Sequence, residues 1–164
     1  MKTIALTQGQ VAIVDDGDFY WLNQWKWHAQ WNKDTRSFYA RCVAIVDGIR
    51  YLISMHRLLV TDNMKLDVDH INRVTLDNRR SNLRACSRTG NARNVGLRRN
   101  NTSGFKGVHL DKRTGRWESR LTIGSRKKHI GNHATAAEAA LAYDVAALER
   151  YGEFAVTNAQ LGLL

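Results

Sequence analysis

The stretch that decides how this chain is interpreted begins with Asp69-His70-Ile71-Asn72 and continues with Leu76-Asp77-Asn78-Arg79-Arg80-Ser81-Asn82-Leu83-Arg84. Within it, Asp69 offers the hard oxygen ligand that Mg²⁺ and Mn²⁺ prefer, and His70 is able to take up a proton near neutral pH. Asn82 is able to hold a loop through its amide, and Asn91, on a later predicted helix, completes a pair of oxygen ligands. Hydrolysis of a phosphodiester needs these roles: a base for water and a cation that stabilises the added negative charge.

Basic and imidazole side chains flank this stretch. Arg79, Arg80 and Arg84 are candidates for holding phosphates or for contacting the reacting site. His56 lies in a short predicted helix, 55–60, that Ser54 is able to cap. Two interpretations of His56 stay open: contact with phosphate or the metal region, and packing as an ordinary helical histidine.

The same stretch resembles the H-N-H endonucleases, in the branch found among bacteriophage homing endonucleases. The matching features are Met55-His56-Arg57-Leu58, Asp69-His70-Ile71-Asn72, Asp77-Asn78-Arg79-Arg80-Ser81-Asn82-Leu83-Arg84 and Asn91. The resemblance implies a β-hairpin and a helix around one divalent metal, Mg²⁺ or Mn²⁺. It makes His70 the general base, Asp69 and Asn91 the metal ligands, and Asn82 the brace of the metal loop. Asn stands where the third name-giving His would stand, a variant common in that branch, so the resemblance implies an active enzyme.

The charge of the chain favours a polyanionic partner. Its 164 residues carry 25 Lys and Arg against 15 Asp and Glu, a net charge of +10. Residues 55–103 hold ten basic and four acidic groups, and residues 104–130 hold eight and two. Neutralising phosphates releases condensed counterions, so double-stranded DNA is the expected partner. No feature indicates a protein partner, and a monomer and a dimer both stay open.

The cysteine content and the hydropathy of the chain indicate the cellular compartment in which it is found. Cys42 and Cys86 lie far apart without a Cys-x-x-Cys pair, which speaks against a structural zinc site or a disulfide framework. The apolar runs are far shorter than a membrane helix requires, and no signal-peptide core follows Met1. The expected location is therefore the cytoplasm, with no membrane association, and the resemblance to bacteriophage enzymes implies the cytoplasm of a bacterium or of a phage-infected host cell.

The first 54 residues are predicted to form strands and turns, and Asp47-Gly48 is typical of a β-hairpin turn. Trp21, Trp25, Trp27 and Trp31 are able to stack on bases, but such a cluster is more often the core of a small β unit. Residues 97–103 are basic, polar and without apolar periodicity, which is typical of a linker. We therefore expect a nuclease domain with a β-rich extension over 1–96, a linker over 97–103 and a second domain over 104–164.

The last segment shows a strand–strand–strand–helix pattern. Trp117, Leu121 and Ile123 alternate with polar residues, Thr135 and Glu138 form a capping box, and a helix is predicted to about Tyr151. Trp117 is open between DNA contact and core, and its apolar neighbours on that face favour core slightly. The three histidines of this segment lack zinc-ligand partners at a fitting spacing.

This segment resembles the plant APETALA-type, or ethylene-response-factor, DNA-binding domain over residues 104–158. The matching features are Gly107-Val108, Trp117, Leu121-Thr122-Ile123, His129-Ile130-Gly131, Thr135-Ala136, Glu138-Ala139-Ala140, Ala142-Tyr143-Asp144, Ala146-Ala147, Gly152 and Asn158. The resemblance implies a three-stranded antiparallel sheet packed on one helix, with the sheet in the DNA major groove. The residues that we expect to bind DNA are Arg113, Arg116, Arg120, Arg126 and Lys128.

The predicted fold class is α+β, with a β-rich unit leading into a ββα-metal nuclease domain and then a sheet on one helix. The favoured function is a site-selective, homing-type HNH endonuclease that hydrolyses DNA and, with one metal site, nicks as a monomer. A DNA-binding regulator with a silent nuclease fold is the alternative. An RNA-binding protein fits less well, because a sheet built for the major groove does not suit A-form RNA.

Overall fold

The computed structural model describes residues 1–61, 63, 65–91 and 93–164. It is a mixture of small antiparallel sheets and a few helices, which confirms an α+β fold. The chain divides into two compact units, Met1–Asn91 and Ala92–Leu164. Across the described residues, no helix is long and apolar enough to cross a membrane.

The first unit is built from three small sheets and three short helices. β1 (Lys2–Ala5) pairs with β2 (Val11–Val14), and β4 (Ser37–Val46) lies between β3 (His28–Asn32) and β5 (Ile49–Ser54). β6 (Asp67–His70) pairs with β7 (Leu83–Cys86). The helices are α1 (Asp16–Leu22), α2 (Met55–Val60) and the single turn α3 (Arg88–Asn91).

The core of this unit lies where the three sheets meet. Val14, Leu22, Cys42, Met55 and Leu83 are all buried in one cluster. The β4–β5 turn has the predicted form, since Asp47 and Gly48 both have positive φ, at 51° and 77°, as a type I′ turn requires.

The four tryptophans of the first unit divide between buried and exposed positions. Trp27 is buried and its Nε1 donates to the Leu22 carbonyl at 2.8 Å, and Trp21 packs against the core. Trp25 and Trp31 keep 41% and 52% of their surface exposed. The prediction of a core cluster therefore holds for two of the four side chains.

Helix α1 lies in a region whose sequence predicted only strands and turns. Asp15 stands at its N-cap position, and Asp16 and Asp18 lie in its first turn. Negative charge stabilises the positive end of the helix dipole, and the N-terminal ammonium of Met1 also binds Asp16 at 2.8 Å. A seven-residue helix with two aspartates and a glycine has too little periodicity to be recognised from sequence.

The second unit is a three-stranded sheet covered by one helix. β8 (Val108–Asp111) and β10 (Arg126–His133) flank β9 (Arg116–Ile123), and α4 (Ala136–Tyr151) packs on the sheet. The predicted capping box of Thr135 and Glu138 is present, and Gly152 follows the helix with a φ of 53°. Small side chains, Ala139, Ala140 and Ala147, are buried between helix and sheet.

Gly107 lies where the sheet and the helix of the second unit approach closely. Gly107 has a φ of +75°, and a Cβ there would lie 2.0 Å from the Tyr143 ring.

Residues 97–103 fall inside this unit, where Asn101 Nδ2 donates to the Phe105 carbonyl at 2.8 Å. Lys106 Nζ also donates to the Val95 carbonyl at 2.6 Å. The segment before the sheet is thus hydrogen-bonded to its own unit.

Candidate active site

A loop between β6 and β7 is closed by the side chain of Asn82. Its Oδ1 accepts the Asn72 backbone N–H at 2.9 Å, and its Nδ2 donates to the Asp77 carbonyl at 2.7 Å. The Asn82 carbonyl also accepts the Ile71 N–H at 2.8 Å. Asn82 itself is buried, so these bonds replace those that the amide would make with water. The contacts are those expected of a loop brace.

The same loop is attached to the rest of the unit through β2. The Ile13 N–H donates to the Leu76 carbonyl at 2.8 Å, and the Asn78 N–H donates to the Ile13 carbonyl at 2.7 Å. Thr75 Oγ1 donates to the Phe38 carbonyl on β4 at 2.6 Å. These bonds hold the loop that follows His70 against two sheets.

His70 ends β6 and lies in a buried aromatic cluster. Its ring centroid is 5.1 Å from that of His56 and 6.2 Å from that of Tyr39, and the two histidines are only 5% and 9% exposed. Burial lowers the pKa of His70, while the nearby Asn78 amide and the charges of Asp69 and Asp77 act in the opposite direction. Burial also lowers the pKa of His56 to about 3. Both rings are therefore neutral near pH 7, as a general base must be before it takes a proton.

Asp69 lies next to His70 but faces a different set of residues. The register pairs Asp69 with Arg84 on β7, and both Nε and Nη2 of Arg84 donate to Asp69 Oδ2, at 3.1 Å and 2.8 Å. His70 is paired with the core residue Leu83 instead. Because side chains alternate along a strand, Asp69 and His70 emerge on opposite faces at the end of β6.

Asn91 reaches the face of β6 that carries Asp69. Its Nδ2 donates to Asp67 Oδ2 at 3.4 Å, and Asp67 shares a face with Asp69 because the two are separated by one residue. The charges of both aspartates raise the pKa of the Cys86 thiol, although burial raises it more. Asp67 was missed in the sequence analysis, where the Asp-x-Asp spacing on a strand was the available signal.

The donor set on this face fits a hard divalent cation in its chemistry. Two carboxylates and an amide, from Asp67, Asp69 and Asn91, offer only oxygen ligands, the kind that Mg²⁺ and Mn²⁺ prefer. The described residues contain no group of three or more His, Cys, Asp or Glu side chains placed to hold a metal ion. A cation here would depend on the amide oxygen and on water for its remaining ligands.

The arginines expected near phosphate are occupied within the protein. Arg79 binds Asp77 through Nε and Nη2 at 2.7 Å and 2.6 Å, which lowers the pKa of that carboxyl. Arg80 binds both carboxylate oxygens of Asp18, at 2.7 Å and 2.8 Å. Arg84 binds Asp69, as above. Each of the three guanidinium groups therefore has an aspartate partner in the protein, and the contact that Arg84 makes is with the candidate metal ligand Asp69.

The outer face of the second unit's sheet carries a mixed but cation-rich set of side chains. Alternation from the buried Ser119 and Leu121 puts Arg116, Glu118 and Arg120 on the side away from α4. Glu118 forms an ion pair with Arg120, and its Oε1 lies 2.6 Å from His129 Nδ1. The register adds Lys127, opposite the exposed Thr122.

Two of the residues expected to bind DNA lie on the helix side of the sheet. The register sets Lys128 opposite Leu121 and Arg126 opposite Ile123, and both apolar residues pack toward α4. Directly opposed residues share a face, so Arg126 and Lys128 are not part of the outer surface. Lys128 lines a groove of about 350 Å³ beside Ala146 and Glu149 instead. Arg113 lies in the β8–β9 turn, and Trp117 packs against the core as the sequence slightly favoured.

Comparison with known proteins identifies the segment around His70. Residues 63–93 match the family model described as HNH endonuclease. That segment includes Asp69, His70, Asn82 and Asn91. The match supports an HNH nuclease without extending to the whole chain.

The curated relatives point to DNA binding. An AP2-like ethylene-responsive transcription factor of Arabidopsis thaliana is 41% identical over 73 residues, which are 39% of this chain and 21% of the relative. An ethylene-responsive transcription factor of the same plant is 36% identical over 94 residues, 56% of this chain and 20% of the relative. The chain spans about a fifth of the length of these two relatives.

Proposed function

We propose that this chain is a metal-dependent, site-selective DNA endonuclease of the homing type, which hydrolyses phosphodiester bonds in duplex DNA. The observation that carries the proposal is the position of His70, which ends β6 directly after Asp69 in the chain, on the opposite face, and lies within the segment that matches the HNH endonuclease model. Its loop is closed by Asn82. The proposal assigns His70 the role of general base and Asn82 that of loop brace.

His70 is suited to this role by its protonation state. Burial lowers its pKa, so the ring is neutral at the pH of a cell and is able to take a proton from the attacking water. Asp69 and Asn91, with Asp67 beside them, would hold one divalent cation, Mg²⁺ or Mn²⁺. Such a cation, when bound, supplies positive charge for the phosphate oxygens.

The second unit supports site selection. Its outer sheet face presents Arg116 and Arg120 on β9 and Lys127 on β10. A pair of antiparallel strands such as these is narrow enough to enter the major groove. Arginine is able to bond two acceptors of guanine at once, while phosphate contacts carry little sequence information. One nuclease unit per chain implies that a monomer nicks one strand of the duplex.

A DNA-binding regulator with an inactive nuclease unit is the second candidate. The curated relatives are transcription factors, and Asp69 is already bound by Arg84. The two candidates share the outer sheet face and differ in chemistry at His70. They therefore predict the same binding and opposite results in a cleavage assay.

Incubation with supercoiled plasmid separates them. The nuclease converts the plasmid to the nicked form with Mg²⁺ or Mn²⁺ and leaves it intact with EDTA. His70→Ala is expected to lower cleavage by roughly 10² to 10⁴, the range for loss of a general base, while a band shift with duplex DNA persists. Undiminished cleavage by the variant would remove His70 as the base. Binding without cleavage by the wild-type chain would favour the regulator.

A further inference from the structure

Arg41 differs from Arg79, Arg80 and Arg84 in having no aspartate partner among the described residues. Arg41 lies in the middle of β4, and within the described parts of the chain it forms no ion pair, while its Nε is buried without a hydrogen bond. A buried donor of this kind costs about 1–3 kcal/mol if nothing accepts from it. Arg79, Arg80 and Arg84 all satisfy their guanidinium groups with aspartates.

The strand places Arg41 on the face that leads to the catalytic histidine. Ala40 and Cys42 are buried in the core, so Tyr39 and Arg41 emerge on the other side of β4. The Tyr39 ring lies 5.7 Å from that of His56 and 6.2 Å from that of His70. Arg41 is one step further along the same face, and its charge contributes to lowering the pKa of His56.

Neither of the residues that face Arg41 across the sheet is an anion. Across the sheet it is paired with His28 on β3 and Ser54 on β5, both uncharged or cationic side chains. His56, with a pKa of about 3, is neutral. The Arg41 guanidinium is partly buried and has no ion pair among the described residues, so a phosphate diester could satisfy it through charge-assisted hydrogen bonds.

We propose that Arg41 binds a backbone phosphate of the DNA duplex next to the bond that is cut at His70. This inference rests on the proposed function for the identity of the anion, since duplex DNA is the polyanion brought to this face. It places a phosphate contact on the three-stranded sheet of the first unit. The expected function of Arg41 is to set the position of the substrate backbone against His70.

The test compares Arg41→Gln and Arg41→Lys with Arg150→Gln, which removes the same charge from α4. Binding of a short duplex oligonucleotide is measured in EDTA over a range of salt concentrations, with His70→Ala in every chain to block cleavage. Arg41→Gln is expected to reduce the slope of log K against log salt by about 1, the value for one lost phosphate contact. Arg41→Lys keeps the charge and is expected to keep the slope, and Arg150→Gln is expected to match the parent.

The same substitutions with His70 restored are then assayed for cleavage of supercoiled plasmid. Arg41→Gln is expected to lower kcat/KM at least tenfold, and Arg41→Lys to lower it less, because a lysine lacks the planar fork of donors. Salt slopes of Arg41→Gln and Arg150→Gln that equal the parent's would overturn the phosphate site. If Arg41→Gln does not fold, Arg41→Lys decides, and kcat/KM equal to wild type would overturn the proposal. A reduced slope in a chain that never cuts would support the phosphate site and contradict the nuclease function.

Discussion

The arginines of the loop after His70 and the basic residues of the outer sheet face are used in different ways, although Arg120 on that face is itself paired with Glu118. In the first unit Arg79, Arg80 and Arg84 are each bound to an aspartate and connect loops, strands and helix α1. In the second unit Arg116 and Lys127 stand exposed on the outer sheet face, outside any ion pair among the described residues. An arginine-rich sequence near a candidate active site therefore indicates scaffolding as readily as DNA contact, and the aspartates nearby decide between them.

Breaking the buried ion pair between Arg84 and Asp69 is expected to change the free energy of unfolding more than the other substitutions. Arg84 and Asp69 side chains are 11% and 7% exposed, so Arg84→Ala leaves a carboxylate buried without its guanidinium. Removing one partner of such a pair costs about 3–5 kcal/mol. Urea unfolding in EDTA, followed by the fluorescence of the four tryptophans in this unit, measures it. Arg99→Ala, an exposed change, should stay within about 0.5 kcal/mol, and an equal result for both would show that the pair does not stabilise the unit.

The second unit depends on close packing where the first depends on ion pairs. Gly107→Ala combines a positive φ with a Cβ that would meet the Tyr143 ring, while Gly115 has a φ of +69° and open space around it. Both substitutions carry the roughly 1–2 kcal/mol cost of the left-handed conformation, and Gly107→Ala adds about 1–3 kcal/mol of overpacking. Hydrogen exchange of the α4 amides reports the difference. Equal exchange in the two variants would contradict the packing role of Gly107.

A buried histidine makes the first unit sensitive to acid. The pKa of His56 is lowered to about 3 from the unfolded value of about 6.5, so the unfolded chain binds the extra proton between these values. The corresponding stability is complete above about pH 6.5 and is lost as the pH falls toward 3. Relative to His56→Gln, the wild-type chain is expected to lose about 2 kcal/mol between pH 7.5 and 5. Parallel pH profiles for the two proteins would show that His56 is not buried in neutral form.

Much of the architecture could be predicted because it depends on local patterns. The alternation of Trp117, Leu121 and Ile123, the capping box at Thr135 and the Asp47-Gly48 turn each follow from neighbouring residues. A mixed α+β fold followed from the same reasoning. Helix α1 was missed because its stabilising contacts are not periodic.

The sequence did not predict which side chains form ion pairs and hydrogen bonds with each other. Arg80 binds Asp18, which is 62 positions earlier in the chain, and only the folded core brings them together. The face on which each β10 side chain lies was not predicted either, since a shift of one residue moves a side chain to the opposite face of a strand. Pairing with β9 sets Lys127 opposite Thr122 on the outer face and Lys128 opposite Leu121 on the helix side.

The proposal that the first unit cuts DNA and the second selects the site is tested most directly by mapping cleavage positions on a long DNA duplex. The full chain is compared with a variant in which Arg116 and Lys127 are both replaced by alanine, at low salt and with Mg²⁺. The variant is expected to cut still but to spread its cuts over many positions, because phosphate contacts persist while base contacts are lost. Cutting at the same positions with the same preference would place specificity in the first unit and contradict the account.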